Sequence, residues 1–176
     1  MRKGTRSVWP LMVAAVLVVG MAASAAAAFG SHQERPLEAT VEATFEVVVD
    51  ADWCEPPWIG VTLDIAEGHA THMGRITGEG RHCVNGPVFD YGVVVLVAAN
   101  GDELYGTYSG QFLGEEPDGT VSVLSFEEYE GGTGRFANAV GSAVNVTSAV
   151  FLTEFSGVMT GESTGTLAYN ASDRSR

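Results

Sequence analysis

The chain has 176 residues, with 22 acids against nine Lys and Arg, a formal charge of −13 and 45% apolar residues. That length is one domain, and a chain this apolar can fill a single core. So acidic a surface repels nucleic acid and anionic lipid, which excludes DNA and RNA as partners.

Arg2, Lys3 and Arg6 precede an apolar run from Trp9 to Met21, and Ala22 to Ala28 supplies the small residues of an A-x-A cleavage site. Charged, apolar and small segments in that order predict a cleavable secretory signal peptide over residues 1–28. The alternative is a retained membrane anchor, since the apolar run reaches Phe29 and is long enough to span. Cleavage removes three cations and no acid and takes the charge from −13 to −16. The mature chain is then expected to be secreted or extracytoplasmic, and free of the membrane. In that compartment an even cysteine count reads as a disulfide, here Cys54–Cys83. A zinc site on the two thiols and His82 is the weaker alternative, because C-x-x-C spacing is absent.

Residues 29–37 read as a polar lead-in, 38–170 as the folded domain and 171–176 as a tail. From Val41 the pattern alternates: Val41, Ala43, Phe45 and Val47 fall on one face, Glu42, Thr44 and Glu46 on the other, which predicts a half-buried strand. Asp50 to Pro57 breaks it with two prolines, and Trp53, Cys54 and Trp58 predict a loop pinned across one end of the fold. Alternation resumes with Val61, Leu63 and Ile65. Gly68 and Gly74 mark either bulges or a hairpin end. Asn85-Gly86-Pro87 is a turn. Val93 to Ala99 is a continuous apolar strand, and Asn100-Gly101 predicts a type I′ hairpin leading into Leu104 to Leu113. Gly114 to Gly119 reads as a solvated acidic turn. Three further strands follow, over Thr120 to Glu130, Phe136 to Phe151 and Ser156 to Asn170.

About eight strands joined by short turns, with many glycines inside them, predict an all-β, eight-stranded antiparallel barrel; closure removes edges, and glycine permits coiling. A two-sheet sandwich is the other architecture. Gly132-Thr133-Gly134-Arg135-Phe136-Ala137 matches G-x-G-x-x-A, yet the residues after it are poor helix formers and no βαβ crossover surrounds it, so a dinucleotide site is rejected. Gly131, Gly132 and Gly134 are instead a structural turn between antiparallel strands, with Phe136 entering the core.

GGTGRFANAVGSA resembles the GGTGRF-x-x-A-x-G signature of the allene oxide cyclase barrel superfamily, which includes the dirigent proteins. Ala70 to Thr77 resembles the ATHLGRFT segment of bacterial secreted members, and Ala98 to Leu104 their AANGD-x-L hairpin. The three segments occur in the family's order within a resemblance covering roughly 38–170. The resemblance implies an eight-stranded barrel with a central cavity. Members of the superfamily cyclise or steer reactive small molecules in an apolar lumen, but none of their catalytic acids matches a position of this sequence.

Candidate site residues are few. His72 and Arg75 lie in one motif and Arg135 in another. His69 and His72 face opposite sides of a regular strand and have no third partner, so no metal or other cofactor is expected. Arg135 reads either as a tie to nearby Glu127, Glu128 or Glu130, which is the favoured reading, or as a ligand anchor, as does Trp58. Glu128 and Glu130 share a face with Leu124 and Phe126, and Glu127 and Tyr129 share one with Val121 and Val123. Either face could border a lumen, where a buried carboxyl acts as general acid or base, although the strand is expected to run into solvent past residue 126. Glu128 and Tyr129 are therefore candidates for catalysis beside His72 and Arg75. Asn145-Val146-Thr147 and Asn170-Ala171-Ser172 are sequons of the glycosylation type. The leading expectation is a secreted acidic barrel that binds a small apolar or amphipathic molecule, or serves as a non-catalytic extracytoplasmic module. A cyclase or isomerase on a small hydrophobic substrate, and a structural protein that forms homo-oligomers, are the alternatives.

Overall fold

Alternating polar and apolar residues continue through eight segments, and each becomes a strand. The computed structural model describes residues 33–170, so the signal-peptide segment and the tail lie outside the described residues. The strands are β1 (Arg35–Val48), β2 (Ile59–Ala70), β3 (Gly74–Asn85), β4 (Val88–Ala98), β5 (Glu103–Glu115), β6 (Val121–Gly132), β7 (Val140–Phe151) and β8 (Ser156–Ala168), with one 3-10 turn at Gly134–Phe136. Each pairs antiparallel with the next, and β8 returns to β1, which makes a closed barrel. Closure pairs every backbone edge that an open sheet would leave free.

The phase of β1 sets inside and outside. Leu37, Val41, Ala43, Phe45 and Val47 face the lumen, while Glu38, Glu42 and Glu46 are exposed on the outer wall. β1 begins at Arg35, inside the segment expected to be a polar lead-in. Leu37 explains the difference: it is 2% exposed, and burying one leucine contributes about 2 kcal/mol toward ordering its strand. Strand glycines make room for rings. A methyl group on Gly92 would stand 2.7 Å from the Tyr108 ring, and one on Gly110 would run into Phe89.

One turn differs from expectation, and one open alternative is resolved. The Asn100-Gly101 hairpin is not type I′, because only Gly101 has positive φ (86°). Gly101 N–H donates to Ala98 O at 2.8 Å, and Ala98 N–H to Asp102 O at 2.9 Å. That is a type I turn followed by a left-handed glycine, the usual three-residue loop. At Gly68 the β1–β2 and β2–β3 registers both slip nearby, while Gly74 (φ 71°) ends the β2–β3 turn. Gly68 is therefore a bulge glycine and Gly74 a hairpin glycine.

The two ends of the barrel are unlike. At the end bearing the β2–β3, β4–β5 and β6–β7 turns, Phe136, Leu104 and Leu167 have no exposed surface, and Ile76, Leu37 and Met73 are 1–2% exposed. They plug the barrel. At the other end Ile59, Phe151, Leu152 and Phe155 are 41–68% exposed, and Val47, Ile59 and Phe151 line the interior cavity. That end is a mouth.

Cys54 and Cys83 are bonded, with Cα atoms 5.7 Å apart. The 29-residue separation makes the bridge worth roughly 3–4 kcal/mol if it acts by constraining the unfolded chain. The loop it holds does not cross the mouth, contrary to expectation. Cys83 pairs with Gly60 on the outer face, Ala51 and Trp53 sit over Gly60, and the Arg81 guanidinium lies 5.4 Å from the Trp53 ring. Bridge and tryptophan together lay residues 49–58 along the outer wall and leave the lumen open.

That wall is acidic on β1 to β3. On β6 and β7 it carries Phe126 and Leu124 in register with Val144 and Val146. An apolar interior inside an acidic β1–β3 wall is the reverse of a barrel that crosses a membrane, whose lumen is polar and whose outside is an apolar band. No helix among the described residues is long and apolar enough to cross one.

Candidate functional site

Plugging one end and opening the other leaves a cavity of about 250 Å³ inside the barrel. Its walls differ. β1 and β2 contribute aliphatic and aromatic side chains alone, such as Val41, Phe45, Leu63 and Ile65. β6, β7 and β8 contribute Ser125, Glu127, Tyr129, Asn145, Thr147 and Ser163. Strand pairing gathers these groups: Ser125 opposes Asn145, which opposes Ser163, and Glu127 opposes Tyr108 of β5.

Glu127 is the centre of the polar wall. Tyr129, two residues along the same face, donates its hydroxyl hydrogen to Glu127 Oε2. The Asn145 side chain adjoins the same carboxyl and favours its charged form. Asn145 is oriented for this, because its Oδ1 accepts from Ser163 Oγ and its Nδ2 lies 3.3 Å from Ser125 Oγ. Burial in an apolar lumen raises the Glu127 pKa above the usual carboxylate value, and the Tyr129 bond and then the neighbouring Asn145 amide pull it partly back. The side chain borders the cavity and remains enclosed by the barrel wall.

A second buried pair adjoins it. His82 lies at a register shift in β3, its Nδ1 2.8 Å from the Tyr108 hydroxyl. It packs against Phe89 at 4.8 Å between ring centroids. Burial pushes His82 down to about 4, so the imidazole is neutral at physiological pH. Burial and then the Glu127 charge push Tyr108 up, and burial followed by Glu127 does the same to Tyr129. Both phenols stay protonated, and Tyr129 acts as a hydrogen-bond donor.

The residues singled out from sequence are distributed differently. Tyr129 alone of the catalytic candidates reaches the lumen. Glu128 is exposed on the outer face, one residue out of phase with Glu127. β6 does not run into solvent past residue 126, since Tyr129 is 3% exposed. His72 stands in the β2–β3 turn with φ 68° and its Nε2 3.0 Å from Pro36 O, and His69 is exposed. Arg75 is exposed on the outer wall. Trp58 packs edge-on against Tyr91 outside the barrel, with ring centroids 5.5 Å apart.

Arg135 is at the plugged end. Its partner is Asp102, at 3.6 Å from Nε, rather than Glu127, Glu128 or Glu130. Its Nη2 reaches Asn100 Oδ1 at 3.4 Å, and its guanidinium covers the Phe136 ring at 4.9 Å. Arg135 thus ties the Asn100-Gly101 hairpin to the Gly131 to Phe136 turn. The Asn145 sequon is buried in the lumen at 6% exposure, which leaves it no access to a glycosylating enzyme.

Sequence reasoning missed Ser125, Ser163 and Tyr108 altogether, and took up His82 only as an alternative zinc ligand and Asn145 only as part of a sequon. The available signal was phase: Ser125, Glu127 and Tyr129 alternate with Leu124 and Phe126, as do Asn145 and Thr147 with Val144 and Val146. Among the described residues no group of three or more His, Cys, Asp or Glu is placed to hold a metal ion. No family model, curated protein or solved structure matches this chain.

Proposed function

We propose that this protein is an extracytoplasmic barrel, of the allene oxide cyclase barrel-like kind, that holds a small and mostly apolar molecule in its lumen. The observation that carries the reading is the cavity itself: about 250 Å³, open at one end, apolar on most of its wall, with polar groups converging at Glu127. Binding sites for small molecules have this composition, because apolar area supplies affinity and a few placed polar groups set orientation. The disulfide supports an oxidising compartment. Native mass spectrometry and thermal shift with eight-carbon alcohols should show 1:1 binding and a raised Tm. Replacing Ala43 with Phe, at a lumen position beside Phe45, should block it. Binding that persists unchanged in a folded Ala43→Phe barrel would place the ligand elsewhere and overturn the reading.

A cyclase or isomerase is the second reading, favoured by one specific observation: Glu127 and Tyr129 give a carboxyl and a phenol in contact on the wall of a mostly apolar lumen. A carboxyl with a raised pKa is suited to proton transfer near neutral pH. Turnover of a bound alkene or epoxide that Glu127→Gln abolishes while binding is kept would establish it; equal turnover in both proteins would end it.

A further inference from the structure

We infer that the molecule held in the lumen is a cationic amphiphile, with an apolar body along the β1–β2 wall and one ammonium-type group seated on the Glu127 carboxylate. The inference rests on the lumen-binding reading above and names the chemistry of its ligand.

The charge balance of the lumen carries it. The Tyr129 hydroxyl donates to Glu127 Oε2, while Asn145, its oxygen taken by Ser163, turns its amide nitrogen toward Ser125 Oγ. A phenol donating to one carboxyl oxygen favours the ionised form. A buried carboxylate calls for a cation, since an unpaired charge in an apolar setting costs several kcal/mol. The lumen supplies none. No Lys or Arg lines the cavity, and His82, its one basic side chain, is neutral and engaged with Tyr108. A ligand ammonium would complete the site, with free lone pairs of the carboxylate as its acceptors.

The approach to the mouth has the same sign. The loops at that end of the barrel, residues 49–58 against the outer wall, 116–120 and 152–155, contain Asp50, Asp52, Glu55, Glu116, Asp118 and Glu154 and no Lys, Arg or His of their own, although Arg81 of β3 stacks on Trp53 of the first. At the plugged end Asp102 is paired with Arg135. A field of one sign around an opening raises the local concentration of counter-charged ligands. An anionic amphiphile such as a fatty acid meets repulsion at the mouth and again at Glu127.

Isothermal titration with octylammonium, octanol and octanoate separates the possibilities, because the three share one tail and differ in head-group charge. Octylammonium should bind 1:1 and roughly tenfold tighter than octanol, the margin of one charge-assisted hydrogen bond, with octanoate weakest. Glu127→Gln should lower octylammonium affinity to that of octanol. The wild type supplies an independent arm should that variant not fold. Octylammonium affinity should rise with pH as Glu127 ionises, while octanol stays flat. The other groups facing Glu127 are Tyr108 from β5, Tyr129 from β6, Asn145 from β7 and, through Tyr108, His82 from β3. The tyrosines titrate above the range from pH 5 to 9 and His82 below it, so a change within it reports on Glu127. Octanol binding as tightly as octylammonium, or octanoate binding tightest, would overturn the cationic ligand and leave the lumen reading standing. Failure of all three probes to bind would overturn both.

Discussion

The plugged end and the mouth are made from the same strands, yet they differ in almost every physical respect. At the plug, Phe136, Leu104 and Leu167 are wholly buried, and one ion pair, Arg135–Asp102, links two turns. At the mouth, apolar side chains stand in the open, and the longest loop is drawn aside onto the outer wall by Cys54–Cys83. Between the two lies the polar wall around Glu127. Closing one end of a barrel fixes the cross-section along its length, and this lets the other end stay open without the fold unravelling. Stability is concentrated at one pole and access at the other. The carboxylate that burial disfavours sits between them, where the plugged pole can offset its cost.

The largest effect should come from the plug. Phe136→Ala removes a fully buried ring that packs 5.2 Å from Tyr169 and lies under the Arg135 guanidinium. A loss of about 3–5 kcal/mol is expected, read as a fall in the urea midpoint at unchanged slope. A loss below about 1 kcal/mol would show that the plug is not where the barrel is held together.

A second and somewhat smaller effect separates the lumen from both poles. His82 titrates near 4 in the folded protein against 6.5 in the unfolded chain. As pH falls below 6.5 the unfolded chain takes up a proton that the folded chain refuses. Stability should therefore decline between about pH 6.5 and 4 and level off below, by up to about 3 kcal/mol. Glu127 works in the opposite direction, because its raised folded value means the folded state takes its proton first as pH falls. Comparing wild type with His82→Gln isolates the histidine: the variant should be less sensitive to acid across that window. Identical pH profiles for the two proteins would mean that the buried imidazole accepts its proton as readily as a free one.

The contrast between the poles also explains what could be read from the sequence. The three motif segments singled out in the sequence, 70–77, 98–104 and 131–141, meet at the plugged end, where positive φ at Gly74, Gly101, Gly131 and Gly134 leaves glycine a distinct mark. Strand number and order were legible because alternation and turn residues are local. The polar wall was not, because β6 and β7 break the rule that apolar residues face inward. Phe126 and Val146 are more than half exposed while Ser125 and Asn145 are buried. With apolar residues on both faces, alternation determined that Glu127 and Glu128 point oppositely and left open which one enters the lumen. Only ring closure, a property of all eight strands together, decides that. The Arg135 partner was obscured in a similar way, since Asp102 is 33 residues away in the chain and the glutamates near it in sequence belong to other faces of the wall.

The smallest expected effect is at the rim of the mouth, and it tests the comparison from the other side. Leu152 is 68% exposed at the tip of the β7–β8 turn, where the backbone bond from Leu152 N to Ser156 O, at 2.9 Å, does not depend on its side chain. Leu152→Ser should change stability by no more than about 0.5 kcal/mol, as at most exposed positions. Its neighbour Phe151 sharpens the point, because it lines the cavity and packs edge-on against Phe45 at 4.9 Å. Leu152→Ser should therefore leave octanol affinity unchanged, whereas Phe151→Ser should weaken it by removing one wall of the entrance. A large destabilisation by Leu152→Ser in urea denaturation would mean that the rim carries structural load. The division into a pole that holds the fold and a pole that admits the ligand would then fail.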